Sequence, residues 1–226
     1  MRIPEQWQGD FPLLSGMSEF LTQNTQPRVS ELAALKRMLQ ELSKSPEPIR
    51  LLNRTLSAIA ASPAWDPPHL GYDGQLLLHF VPRSPVLVLG RTESDSRDPL
   101  ISTVGATSLV CPVESTRGFA YECGRLNRTP QFDRFEKDLV IESISTESCP
   151  AGGVLQLEPG EVFRYASHGV IVLKIEYTDY LPLTINFSRK DLRVRNASMG
   201  TIEATQIIYL LRLMSTYGRQ TDVEVI

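Results

Sequence analysis

The chain has 226 residues, 42% of them hydrophobic and 22% charged, the balance of an ordinary globular protein. Its 23 lysines and arginines face 26 aspartates and glutamates, and a net charge of −3 gives no global attraction to nucleic acid or to an anionic membrane. Apolar runs stay far short of the roughly 20 residues a spanning helix needs, and the polar start MRIPEQWQGDFPLL lacks a basic-then-apolar secretory signal. Three widely spaced cysteines, Cys111, Cys123 and Cys149, fit reduced thiols better than a disulfide framework. The expected setting is therefore cytoplasmic, with neither nucleic acid nor membrane as partner.

Residues 1–29 read as an irregular arm with one short helix around residues 15–21. A clear helix follows Ser30, a natural N-cap, with Leu32, Leu35, Met38, Leu39 and Leu42 at helical spacing. A second starts at Ser45-Pro46, an N-cap with proline in the first turn, and carries the stripe Ile49, Leu52, Leu56 and Ile59. The short break between them predicts an antiparallel helix pair. Residues 62–73, dense in proline and glycine, read as a linker. The period then changes. Short β-rich runs are expected at 75–81, 85–90, 107–113, 118–123, 139–143, 153–157, 161–165, 170–177 and 183–187, with a polar loop at 91–99. Many short strands with frequent turn signals argue for a sandwich or closed barrel. Two stretches, 101–126 and 151–177, read as turn-punctuated hairpins. A last helix is expected after Ser198 as its cap, ending near Gly218, with Ile207, Leu210, Leu211 and Met214 forming one apolar stripe.

The order of helices, many short strands and a terminal helix resembles cupin-like proteins, with a distant similarity to the cysteine dioxygenase group. The resemblance covers roughly residues 75–190. Its clearest local match is Leu157-Glu158-Pro159-Gly160-Glu161-Val162, where a Pro-Gly turn precedes a strand and glycine permits a tight turn. The resemblance implies an α+β, mainly β fold: a cupin-like double-stranded β-helix barrel with an N-terminal helix pair and a C-terminal helix. Residues 1–66 would be the arm and helical region packed on the barrel, and 67–226 the barrel with its terminal helix, together one compact unit.

Metal-binding cupins carry His-x-His in the region that here reads ISTVGATSLV, since alternate strand residues reach one ion from the same face. The resemblance puts those positions at Ser102 and Val104, with the following glutamate at Ser108 or Leu109. The second motif would put a histidine at Ile171 and an asparagine at Ile175. None of these side chains is a competent metal ligand, so no metal and no other cofactor is expected. The same positions, with Phe163 and Tyr165, become candidates for lining a ligand pocket.

The expected function is accordingly binding of a small organic ligand or a protein partner without a catalytic metal. An alternative is a metal-dependent cupin enzyme, a dioxygenase or isomerase, with a divalent metal held by His79, His168 and a carboxylate such as Glu161. A third reading is a module that forms a homodimer through the apolar terminal helix. Arg193 and Arg195, the end of a basic cluster with Arg189 and Lys190, are candidates for an anion or an acidic partner. Cys111 and Cys123 lie on runs that could pair across a turn and face each other.

Overall fold

The computed structural model describes residues 4–24, 29–62, 64, 65, 67, 69, 75–81, 84–93, 100–114 and 116–199. Among the described residues the chain is α+β and mainly β, with four helices ahead of two antiparallel sheets. The expected terminal helix, with its role in a homodimer, lies outside the described residues. Ser198, its expected cap, sits in a strand instead, paired with Thr184.

Helices α1 (Glu5–Gln8), α2 (Pro12–Gln23), α3 (Val29–Lys44) and α4 (Glu47–Ala61) form one layer. Helix α3 buries Leu35, Leu39 and Leu42, three positions at helical spacing. Helix α2 starts at Pro12 after Phe11, whose side chain cannot cap it. Its first free amides are satisfied from another helix. The buried carboxylate of Glu47, at the start of α4, accepts Leu13 N–H at 3.0 Å and Leu14 N–H at 2.9 Å.

The strands are β1 (Leu76–His79), β2 (Val86–Arg91), β3 (Leu100–Thr103), β4 (Ser108–Pro112), β5 (Phe119–Leu126), β6 (Ile141–Cys149), β7 (Leu155–Leu157), β8 (Val162–Tyr165), β9 (Ile171–Glu176), β10 (Leu183–Ser188) and β11 (Val194–Met199). One sheet runs β1-β2-β9-β4-β7 and the other β11-β10-β3-β8-β5-β6. Neither stretch read as a hairpin is one. Strand β4 lies in the first sheet and β5 in the second, while β7, β8 and β9 alternate between sheets. The turn signals are real, but each turn carries the chain across to the opposite sheet.

Three apolar clusters follow from this layering. The outer face of the first sheet supplies Leu87, Leu89, Leu109, Leu173 and Ile175, which pack with Leu35, Leu39 and Leu51 of the helices. Between the sheets lie Val110, Phe119, Tyr121, Leu157 and Val172. The outer face of the second sheet buries Ile101, Val162, Ile185 and Phe187 with Leu139 and Ile141. The Pro-Gly turn before β8 forms as the sequence predicts: Gly160 has φ +88°, a backbone conformation that a side chain would strain.

Candidate functional site

A cavity of about 420 Å³ opens between the two sheets. Its first wall comes from the second sheet, where the register aligns Asn186, Ser102, Phe163 and Cys123 as direct neighbours on adjacent strands. Residues directly opposite in a sheet point to the same face. A polar ladder therefore runs along this wall: Ser102 Oγ–H donates to Asn186 Oδ1 at 2.7 Å, and Asn186 Nδ2–H donates to Asn196 Oδ1 at 2.7 Å. Beside it stand two aromatic rings, Phe163 and Tyr165, edge to face with centroids 4.9 Å apart.

The opposite wall is the inner face of the first sheet. Ser108 pairs with Glu176 and Val110 with Lys174 on adjacent strands. Lys174 and Glu176 are half-buried and form an ion pair. Burial pushes the Tyr165 phenol up, and the Glu176 carboxylate adds to that shift, so the hydroxyl stays protonated and able to donate.

Of the residues expected to line a pocket, Ser102, Val104, Ser108, Phe163 and Tyr165 come together around this cavity. Ile171 does not join them; it packs against the helix-side core. The reason is period 2. On β9 the odd residues Ile171, Leu173 and Ile175 face the helices, and the even residues Val172, Lys174 and Glu176 face the second sheet. Leu109 and Ile175, the other positions where the resemblance would put a ligand, are fully buried against the helices. Sequence reasoning therefore passed over Lys174 and Glu176. Their signal was present: two charged residues alternating with apolar ones in VIVLKIEY.

The structure does not bring His79, His168 and Glu161 into one site. His79 is fully buried on β1, with Nδ1 2.7 Å from Ser18 Oγ and Nε2 3.0 Å from Ser84 Oγ. The Ser84 hydroxyl donates to Leu21 O at 2.8 Å, so Nε2–H must donate to Ser84 and Nδ1 must accept from Ser18. Both ring nitrogens are thus engaged, and burial lowers the pKa of His79 to about 4. His168 lies exposed in the turn between β8 and β9, and its carbonyl accepts Arg117 Nη2–H at 3.4 Å. Glu161 is exposed and accepts Glu158 N–H at 2.9 Å. Among the described residues, no three His, Cys, Asp or Glu side chains are grouped to hold a metal ion. Among the described residues the cavity is lined by hydroxyls with Glu93, Arg164, Lys174 and Glu176, a set that does not fit the histidine-rich site of a metal-binding cupin.

Arg193 and Arg195 are exposed, Arg195 on β11 and Arg193 just before it. Arg193 N–H bonds Asp191 Oδ1 at 3.3 Å. Arg189, by contrast, forks onto Glu122 with Nε and Nη2 at 3.1–3.2 Å. Cys111 and Cys123 do not face each other. Cys111 is buried on β4 toward the helices, while Cys123 is on β5 in the other sheet. The Cys123 thiol lies 3.0 Å from Ser145 Oγ and 3.3 Å from Glu147 Oε1, beside a second cavity of about 300 Å³. Phe163 and Leu157 line both cavities and so form the partition between them.

No protein-family model and no curated protein matches the chain. Among the described residues no helix is long and apolar enough to cross a membrane.

Proposed function

We propose that this chain is a cupin-like jelly roll that binds a small organic molecule between its sheets without a catalytic metal. The order β2-β9-β4-β7 facing β3-β8-β5-β6 supports the fold assignment. Eight strands divided between two four-stranded sheets, with most consecutive strands changing sheet, is the jelly-roll arrangement of two Greek keys. Strands β1, β10 and β11 extend its edges.

The single observation that carries the binding reading is the lining of the larger cavity. A packed sandwich interior is ordinarily apolar, as it is around Val110, Phe119 and Val172. At the cavity the same faces carry Ser102, Ser108, Lys174 and Glu176 beside Phe163 and Tyr165. Convergent polar groups on an apolar concave surface of this size describe a ligand site.

The test is a fragment survey by ligand-observed NMR on the full chain and on Thr184→Phe, which fills the rim of the cavity from β10. Binders to the wild type should be lost in the variant while its circular dichroism spectrum is unchanged. Fragments that bind both proteins equally would sink the cavity as the site.

A further inference from the structure

We propose that the cavity is built for a neutral, multiply hydroxylated molecule of about monosaccharide size, held by Lys174 and Glu176 and walled by Phe163 and Tyr165; this rests on the ligand-binding reading above. The first argument is charge. Among the described residues four charged side chains line the cavity, two acidic and two basic, and each has an opposite charge beside it. Lys174 pairs with Glu176, Glu93 lies 3.3 Å from Arg91, and Arg164 lies 3.6 Å from Glu122, a carboxylate it shares with Arg189. An anionic ligand would have to draw Lys174 from Glu176 and leave a half-buried carboxylate uncompensated, the most unfavourable arrangement for a charge held away from water. A cationic ligand would do the same to Lys174. A wholly apolar ligand would strip water from the ion pair and return no hydrogen bonds.

The second argument is hydrogen-bond capacity. A hydroxyl group suits both members of the pair, since it donates to Glu176 and accepts from Lys174 without displacing either. The surrounding lining has the same character. Ser102 and Ser108 spend their protons on Asn186 Oδ1 and on Ala106 O at 3.1 Å, so each presents acceptor lone pairs. The Tyr165 hydroxyl, kept protonated by burial, offers a donor on the same lining. Donors and acceptors are thus dispersed singly around the space, as the hydroxyls of a polyol are dispersed around its carbon skeleton. The C–H surface of such a ring has a complement in the Phe163 and Tyr165 rings, fixed edge to face. A cavity of about 420 Å³ lies in the size range of small-molecule sites.

Isothermal titration calorimetry on the full chain tests this with D-glucose, D-xylose and myo-inositol as neutral polyols, succinate as the dianion and L-serine as the zwitterion. At least one polyol should bind while succinate and L-serine do not. Glu176→Gln should weaken that binding about tenfold, and Tyr165→Phe by a few-fold. Tyr165→Phe removes only the hydroxyl and keeps the wall, so it decides the matter if the charge variant fails to fold. Binding of succinate or L-serine that both variants weaken would overturn the polyol class and leave the cavity reading standing. A polyol bound equally by wild type and both variants would overturn both. Silence from all three polyols overturns the polyol class, while the Thr184→Phe survey decides the cavity reading separately.

Discussion

Lys174 and Glu176 stand two residues apart on the central strand β9 and pair with each other on the face that looks between the sheets. Their neighbours on the other face, Leu173 and Ile175, are fully buried against the helices. Packing alone does not call for charge here, since Val172 fills the next position on the same inner face. An ion pair held partly away from water contributes little stability compared with well-packed apolar residues.

A double-mutant cycle measures that relationship. Lys174→Met and Glu176→Gln should each lower stability, because each leaves its partner charge half-buried and alone. The double variant should lose less than the sum of the two, with a coupling of about 1 kcal/mol, between the values for exposed and fully buried pairs. Urea unfolding of the four proteins gives the number. Strictly additive losses would show that the two side chains do not act as a pair.

Glu47 is a stronger stability determinant than its position at the start of a helix implies. Its carboxylate takes both Leu13 N–H and Leu14 N–H, so Glu47→Ala strands one buried and one partly buried amide at once. The expected loss is about 3 kcal/mol, and Glu47→Gln, which keeps one acceptor oxygen, should lose roughly half of that. Denaturant unfolding monitored by circular dichroism checks both values.

The buried histidines make stability fall in mild acid. Burial holds His79 at about 4 in the folded chain, against an ordinary 6.5. Between those values the unfolded chain binds a proton that the folded chain refuses. Stability therefore declines as pH drops from about 6.5 to about 4, by at most about 3 kcal/mol from this residue. His69, also lowered by burial, acts in the same direction. Protonation would turn Nδ1 of His79 into a second donor and set it against the Ser18 hydroxyl that now donates to it. His79→Gln should flatten the fall of the melting temperature with acid. An unchanged profile would place the acid sensitivity elsewhere.

The sequence carried α3, α4 and most strands because their signals are local. By contrast, α1 (Glu5–Gln8) and the length of α2 (Pro12–Gln23) fall in residues read as an irregular arm with one short helix around 15–21. Ser45-Pro46 and the leucine spacing of α3 need no knowledge of the partner layer. Strand β6, found at Ile141–Cys149 where only residues 139–143 were expected, is mostly exposed and rich in serine and threonine, so it gives no hydrophobic alternation to read. Which sheet each strand joins was not legible, because a turn between two strands looks the same whether they pair or part. Within the site, Ser102 and Phe163 were legible as strand positions. Ile171 was assigned to the wall that Lys174 and Glu176 occupy because a one-residue offset exchanges the two faces of a strand.

Native thiol reactivity separates the cysteines. Cys111 and Cys149 are buried, and burial pushes the Cys149 thiol up to about 11 and raises Cys111 as well. Cys123 is partly exposed, although burial and its hydrogen bond to Glu147 also raise it. A chromogenic disulfide reagent should therefore titrate Cys123 slowly in the native protein and the other two only on unfolding. A Cys123→Ser variant that still shows a reactive native thiol would contradict this order.

The most direct measurement is a backbone-amide NMR shift map of the full chain, titrated with each molecule that binds in the fragment survey. Ligand held between the sheets requires the largest shifts at residues 102–108, 163–165 and 174–176. Shifts centred on the exposed Arg193–Arg195 edge, or on His79 of β1 and the α2 residues beside it, would contradict it.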